Sequence, residues 1–535
     1  MSEGAPSSRD RQERASRGLL RRALDGSALF AAATLFSRAL GLLREGLAAR
    51  FFGLKRERDM YVVAHGLAFQ PVALVVTVVN AALLPVLAWA VREDVSGAVG
   101  GTSAVLLVVG PTLLVLAGLT AAGARWLGPW LVGRGQTVPA ALLARLVRTS
   151  IWYVPLAGVG NVLAMLPLAA QRYAAPALAY AVPNVAVVAA LVLLQPRLGI
   201  MSLAVGDVAG GLLFLVVIGS YTLWRWRRQW PAARPRWDLA SRFGALAVPP
   251  LLQALAGSTA IVFERAIMAR LPEGTLSAYD YSFTLTGVAL GALIAGPMTV
   301  IGSLLAYEAA ARDRALLTRR AEQALTLVLL VTVLAASVLL ANAREITRVV
   351  YQGRAFSAGA TQVTAGLLAW QVPPMLGYAT ADVLARVCNA MQDTLTPAAA
   401  RVAGQGLRLA LVSPMAHWLG GGGVALARLL GLLLAIGILA VVLRPRGLRL
   451  PWLALVRRLA VLMGLAAVAG ALVAQLPSTE ALSLPVQAAV LLARTVVQTA
   501  VLGGLVFLLC PYERDLLLLG LRRRGGLRNS RKTAE

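Results

Sequence analysis

The chain has 535 residues, 58% of them hydrophobic and only 14% charged, with a formal net charge of +27. Soluble proteins carry roughly 25% charged residues, so a water-soluble globule is excluded. A basic nucleic-acid binder is excluded as well: the positive charge is almost all Arg, gathered in short segments between long apolar runs, where it suits the anionic cytoplasmic leaflet of a membrane.

Residues 1–28 read as a basic cytoplasmic tail with no apolar stretch ahead of Leu29, so the first span is expected to act as the insertion signal. Apolar runs of about 20 residues, the length a helix needs to cross the hydrocarbon, then recur as far as Cys510. The predicted spans are 29–51, 60–90, 101–124, 149–169, 174–194 and 200–224, forming an N-lobe over 29–224. Pro71 and Pro85 are expected to tilt or kink the second. A basic cytoplasmic linker covers 225–242. A C-lobe over 243–443 holds 243–270, 279–306, 321–342, 361–387, 397–418 and 421–443, the last two separated by the tight Gly420–Gly423 segment. Spans 454–475 and 486–510 lie in 444–510, and a basic cytoplasmic tail closes the chain at 511–535. The expected fold is thus an all-α polytopic membrane protein of about fourteen transmembrane helices.

Orientation follows from Lys and Arg between the spans. Six precede Ser27, six lie between Arg225 and Arg242, and seven follow Pro511, against three from Lys55 to Arg58 and four from Arg125 to Arg148 on the other side. Both termini are therefore expected in the cytoplasm. A faint repeat runs through the lobes. Ala49-Arg50 before Tyr61 is echoed by Ala269-Arg270 before Tyr281, and Gln171 before Pro176-Ala177 by Gln392 before Pro397-Ala398, at shifts of 220 and 221 residues. Two six-helix lobes of even count insert the same way up, which makes the repeat parallel, with the last two helices outside it.

The informative side chains are the charges inside apolar spans. The first span carries Arg38, Arg44 and Glu45, with Arg38 and Glu45 about 20° apart around a helix and Arg44 roughly 120° from Arg38. Asp59 precedes the second span. Asp207 lies in the sixth, Glu264 and Arg265 in the seventh, Asp382 and Arg386 in the tenth, Arg401 and Arg408 in the eleventh, and Arg428 in the twelfth. Each such charge costs about 2.5–3.5 kcal/mol at mid-bilayer, a cost that a wet, protein-lined cavity removes. Surplus guanidinium in such a cavity matches phosphate or carboxylate oxygens in a bidentate way. Arg38, Arg44 and Arg265 are the candidate anion-binding residues, and Glu45, Asp59, Glu264, Asp382 and Arg386 the cavity or gating charges. For the Glu–Arg pairs the alternative is structural: paired charges that hold helices in register. His65 reads as a packed or interfacial residue.

No phosphate-binding G-x-x-x-x-G-K-[ST] loop and no metal-ligand or catalytic motif occurs. The two cysteines, Cys388 and Cys510, have no near partner. The chain reads as a carrier and not an enzyme, with no catalytic residue, metal or cofactor. Its driving force is expected from H+, Na+ or the membrane potential.

Several stretches resemble the MviN/MurJ lipid II flippases of the multidrug/oligosaccharidyl-lipid/polysaccharide exporter superfamily. They are FSRALGLLRE at 36–45, ARFFG at 49–53 with Asp59, RYAAPALA at 172–179 with Asn184, LPEGTLSA at 271–278, YQGRAFS at 351–357, and DVLAR at 382–386 leading to DTLTP at 393–397. The resemblance implies paired six-helix lobes around a cationic cavity for the lipid II pyrophosphate. It implies a groove for the polyprenyl tail along the last two helices, and it places family cavity residues at Arg38, Arg44 and Asp59. It also implies a lipid-linked saccharide and membrane lipids as partners, no nucleic acid, a monomer, and a bacterial cytoplasmic membrane location. The chain departs from the family pattern where it reads Gln70-Pro71-Val72 in the second span and Phe283-Thr284 in the eighth; Arg265 is the candidate to compensate. Those departures point to an alternative cargo, lipid-linked exopolysaccharide or O-antigen repeat units.

Overall fold

The computed structural model describes residues 35–132, 137–231, 233–293, 301, 305, 314–476 and 482–516. The basic tail expected over 1–28 and nearly all of the one over 511–535 lie outside them. The elements, in chain order, are α1 (35–52), α2 (Arg56–Glu93), α3 (Val95–Val132), α4 (Thr137–Ser150), α5 (Tyr153–Ala169), α6 (Ala174–Ala179), α7 (Val182–Leu198), α8 (Met201–Arg225), α9 (Trp237–Met268), α10 (Thr275–Leu293), α11 (Arg314–Ala341), α12 (Ala343–Tyr351), α13 (Ala358–Ala390), α14 (Leu395–Leu443), α15 (Trp452–Ala474) and α16 (Leu484–Leu509). Among the described residues there is no strand. Ten helices there are long and apolar enough to cross a membrane.

Within the described residues each predicted span falls on helix, the start of the first (29–34) and most of the end of the eighth (294–306) lying outside them, but several differ in detail. α2 runs through Pro71 and relaxes into one π-helical turn at Val79–Leu83, just ahead of Pro85. A widened turn of this kind accommodates a proline ring that cannot donate to the ladder. The expected 174–194 span is two helices, α6 and α7. The expected pair 397–418 and 421–443 is one helical assignment of 49 residues broken at Gly420, where φ is 56° and ψ −135°. Only glycine adopts that conformation without a Cβ clash. The chain reverses there: a Cβ on Gly404 would lie 2.4 Å from the carbonyl oxygen of Gly431.

The backbone repeats at a fixed interval. Left-handed φ values occur at Gly53 and Gly274, at Gln171 and Gln392, and at Gly199 and Gly420, each pair 221 positions apart. Gly199 (φ 54°, ψ −133°) and Gly420 match to within a few degrees in both dihedrals. Among the described residues the two glutamines are the non-glycine residues with positive φ. Such conformations cost of order 1–3 kcal/mol where a Cβ is present, so their recurrence at one interval marks the same turn built twice.

The molecule divides into two compact units, one of Met1–Ala48 with Arg56–Val262, the other of Ala49–Lys55 with Phe263–Glu535. The first packs Leu83, Leu87, Val99, Ile151, Met165 and Phe214 into its core. The second packs Leu317, Leu325, Val383, Leu384, Val387 and Leu439, and a smaller cluster of Leu462, Leu502 and Val506 joins α15 and α16 to α11. Large apolar side chains cover the outside, Leu193 at 72% exposed and Leu508 at 74% among them. In water that surface would aggregate; hydrocarbon is its proper solvent.

Candidate functional site

In the first unit, the charges of α1 and α2 converge on one carboxylate. Arg44 donates from Nε and Nη2 to Glu45 Oε1 at 3.2 and 2.7 Å, and Arg58 donates from Nη2 to Glu45 Oε2 at 2.5 Å. Arg58, in the first turn of α2, is 1% exposed, with its guanidinium 5.0 Å from the centre of the Tyr61 ring. Burying so large a cation requires an acid within reach, and α1 supplies Glu45. Glu45 thus holds two guanidiniums at once. Arg44 keeps 22% of its side chain exposed.

The network extends along α2. Tyr61 Oη donates to Asp207 Oδ2 at 2.8 Å, and His65 Nδ1 lies 3.0 Å from the same oxygen. His65 stacks between Tyr61 and Phe69, one helical turn to either side, a packed residue whose ring nitrogen also has a polar partner in Asp207. Asp59 is buried, with Arg56 3.9 Å away. Arg38 is half-buried; beside it, Ser37 Oγ donates to the Tyr180 carbonyl at 3.1 Å, and Asn184 Nδ2 donates to the Ser37 carbonyl at 3.1 Å. Asn184, from the motif after RYAAPALA, therefore positions α1.

In the second unit, Glu264 and Arg265 do not pair with each other. Adjacent helical residues point about 100° apart, and these two take separate partners. Arg265 donates from Nη2 to Asp280 of α10 at 3.0 Å, each side chain 18% exposed. Glu264 accepts from Arg428 Nη2 at 2.5 Å and from Arg408 Nη2, all three side chains 4–5% exposed. Arg428 also donates to Gln371 Oε1 at 3.3 Å and lies 4.6 Å over the Phe283 ring. Phe283, one of the residues that departs from the family pattern, thus serves as a cation–π platform. The Nε groups of Arg408 and Arg428 are buried without a hydrogen-bond partner among the described residues. Asp382 pairs with Arg386 at 3.1 Å and Arg401 at 3.2 Å in a half-exposed cluster, as their spacing on and between helices allows.

Other motifs prove to be joints. In the second unit a Cβ on Gly53 would lie 2.1 Å from the Ala355 carbonyl oxygen, and one on Gly274 would lie 2.4 Å from that of Leu54. Ala355 N–H donates to the Arg50 carbonyl at 3.1 Å, and Tyr351 and Phe356 pack on Tyr281. ARFFG, LPEG and YQGRAF therefore meet at one place, where two glycines allow backbones to touch. Beyond the spans, Asp393 accepts from Thr396 N–H at 3.0 Å and pairs with Arg446. Burial works to raise its carboxyl, but the Thr396 and Arg446 hydrogen bonds outweigh it and hold the group at about 2.

Arg58, Tyr61, Asp207, Asp280, Gln371, Arg401, Arg408 and Arg428 are among the members of these clusters that were not candidate site residues. Arg408 and Arg428 stood out as intramembrane charges, but nothing in the sequence joins them to Glu264, 144 and 164 positions away. Among the described residues no three His, Cys, Asp or Glu side chains gather as a metal site would require.

Comparison with solved structures shows what fold carries these clusters. The inward closed lipid II flippase MurJ superposes with a TM-score of 0.74 at 18% identity, covering 92% of this chain and 100% of that one. A multidrug resistance MATE family transporter of the MOP superfamily gives 0.62 in its inward-facing conformation at 14% identity (78% of this chain, 94% of that one). The outward-facing conformation gives 0.54 at 12% identity (80% and 95%). Comparison with the curated proteins gave no match. A family model described as lipid II flippase MurJ matches residues 48–493, from the end of α1 into α16. With most of its length under that model, the chain belongs to the lipid II flippase MurJ family.

Proposed function

We propose that this protein moves lipid II, the undecaprenyl-pyrophosphate-linked peptidoglycan precursor, across the bacterial cytoplasmic membrane by alternating access. The observation that carries the reading is the cationic cluster of the first unit: Glu45 is shared by Arg44 and Arg58, and Arg44 stays 22% exposed. A pyrophosphate offers more acceptor oxygens than Glu45 does, so it can draw Arg44 while Arg58 keeps the carboxylate company. Arg38, half-buried on the same helix, is assigned to the same anion. Arg265 is assigned as a substrate-contacting cation of the second unit, held until then by Asp280. Membership of the lipid II flippase MurJ family supports the cargo.

Export of lipid II in spheroplasts or proteoliposomes tests this directly. Arg44→Ala and Arg38→Ala, at membrane levels equal to the unaltered protein, should lose most of the signal. Unchanged export would remove both residues from the mechanism. The departures at Gln70 and at Phe283-Thr284 favour a second reading, in which the cargo is a lipid-linked exopolysaccharide or O-antigen unit. Complementation of a strain depleted of its lipid II flippase separates the two: growth supports lipid II, and failure despite full membrane expression supports the saccharide.

A further inference from the structure

One carboxylate inside the spans is held differently from its counterparts. Glu45, Glu264, Asp280 and Asp382 are each held by Arg side chains, whose charge is permanent. Asp207 of α8, 5% exposed, is held by two side chains of α2. Tyr61 Oη donates to its Oδ2 at 2.8 Å, and His65 Nδ1 lies 3.0 Å from the same oxygen. An ionised carboxylate only accepts, so Nδ1 carries the hydrogen of that contact and Nε2 is left to take up a further proton. Of these two partners, only the imidazole changes charge between about pH 5 and 8.

α2 fixes the ring for that role. His65 stacks on Tyr61 and Phe69, with centroids 5.5 and 5.4 Å away, so its nitrogen stays on Asp207 while 18% of its side chain remains exposed. With a proton from the aqueous phase, imidazolium and carboxylate form a neutral pair. Without it the pair carries one buried negative charge, which a poorly solvating interior disfavours. The other charged or titratable groups around the pair are Arg58 on α2, Arg44 and Glu45 on α1, and Tyr153 on α5. α4 also packs on α2, and its Arg145 and Arg148 are exposed.

Arg44 lies within electrostatic range of Asp207. When His65 takes a proton, the charge of Asp207 is balanced by its neighbour and holds Arg44 less firmly, which leaves the guanidinium freer to hold an anion. By linkage, an anion on Arg44 favours the proton on His65 to the same degree.

We infer that Tyr61, His65 and Asp207 form a proton-binding site, with the proton on His65 Nε2 and Asp207 as its fixed counter-ion, and that this proton and an anion on Arg44 favour each other. The coupling rests on the assignment of Arg44 to the pyrophosphate; the proton site itself does not.

The chain has two histidines, His65 and His417, and His417 is exposed. In the full-length His417→Asn protein, purified in detergent, a 15N-labelled imidazole therefore reports on His65 alone. NMR follows that ring between about pH 5 and 8, with and without inorganic pyrophosphate. The ring should titrate within this range, and Asp207→Asn should lower its ratio of protonated to neutral form about tenfold or more at a given pH. At half protonation, pyrophosphate should raise that ratio about fivefold or more, and Arg44→Gln should cancel the rise. A ring that keeps one protonation state throughout, or titrates identically in Asp207→Asn, overturns the proton site. A titration that pyrophosphate leaves in place, or moves equally in Arg44→Gln, overturns the coupling. Lipid II export is not the readout, so unchanged export in Arg44→Ala would sink the transport assignment and leave the titration of His65 to be judged by itself.

Discussion

Glu45 and Glu264 each hold two guanidiniums, yet the two clusters are built and exposed differently. The cluster around Glu45 is local: its partners stand one and thirteen positions away, and Arg44 reaches a partly open surface. The one around Glu264 is assembled from α9 and the two limbs of α14, and its three side chains are 4–5% exposed. A charge that a ligand must find has to stay partly solvated, whereas one that only ties helices together is best sealed. The comparison teaches that the same three-residue chemistry is left partly open in one unit and sealed in the other.

The sharpest way to break that contrast is Glu264→Gln. It would leave two buried guanidiniums facing each other without their acid, at a cost of about 3–5 kcal/mol, so the thermal unfolding midpoint in detergent should fall steeply or folded protein should be lost. A variant as stable as the parent would show that the cluster of the second unit is wet and not structural. Next in size are the turns. Gly199→Ala and Gly420→Ala should each cost of order 1–3 kcal/mol, by nearly equal amounts, because their dihedrals agree. A marked inequality in the two unfolding midpoints would mean that the turns, alike in backbone, are braced differently.

Arg44→Ala should change stability by less than about 1 kcal/mol while it abolishes most export, since Arg58 remains on Glu45 and the lost partner is partly solvated. A stability loss matching that of Glu264→Gln would erase the distinction between the clusters. The smallest effect concerns pH. The Asp393 carboxyl sits at about 2 in the folded protein, below its ordinary 3.8, so its contribution is present above about pH 4 and disappears as the pH falls toward 2. Asp393→Asn should lower stability slightly at neutral pH, where that contribution is fully present, and flatten the acid limb of the stability profile, leaving it unchanged only at the acid end.

Much of this was legible in the residue order. Span after span coincides with a helix because burial in hydrocarbon demands long apolar runs, and those are visible without coordinates. The repeat was legible too, from Gln171 and Gln392, though as a pattern without a cause; their left-handed backbones supply one. Arg38, Arg44, Glu45, Glu264 and Arg265 stood out because charge in an apolar run is costly. Their pairings did not. Arg58 looked like a loop residue since it lies three positions past Lys55 in a polar stretch, and only the closure of α1 onto α2 sealed it against Glu45.

The sequence by itself determined the membrane class, the long helical spans and most of the charges inside them, because each rests on local composition and on the cost of polarity in oil. Tertiary structure alone decided which guanidinium meets which carboxylate. That choice depends on side chains brought together from 144 and 164 positions away, and on whether water reaches them once they meet. No local rule carries either quantity, since packing sets both distance and dielectric.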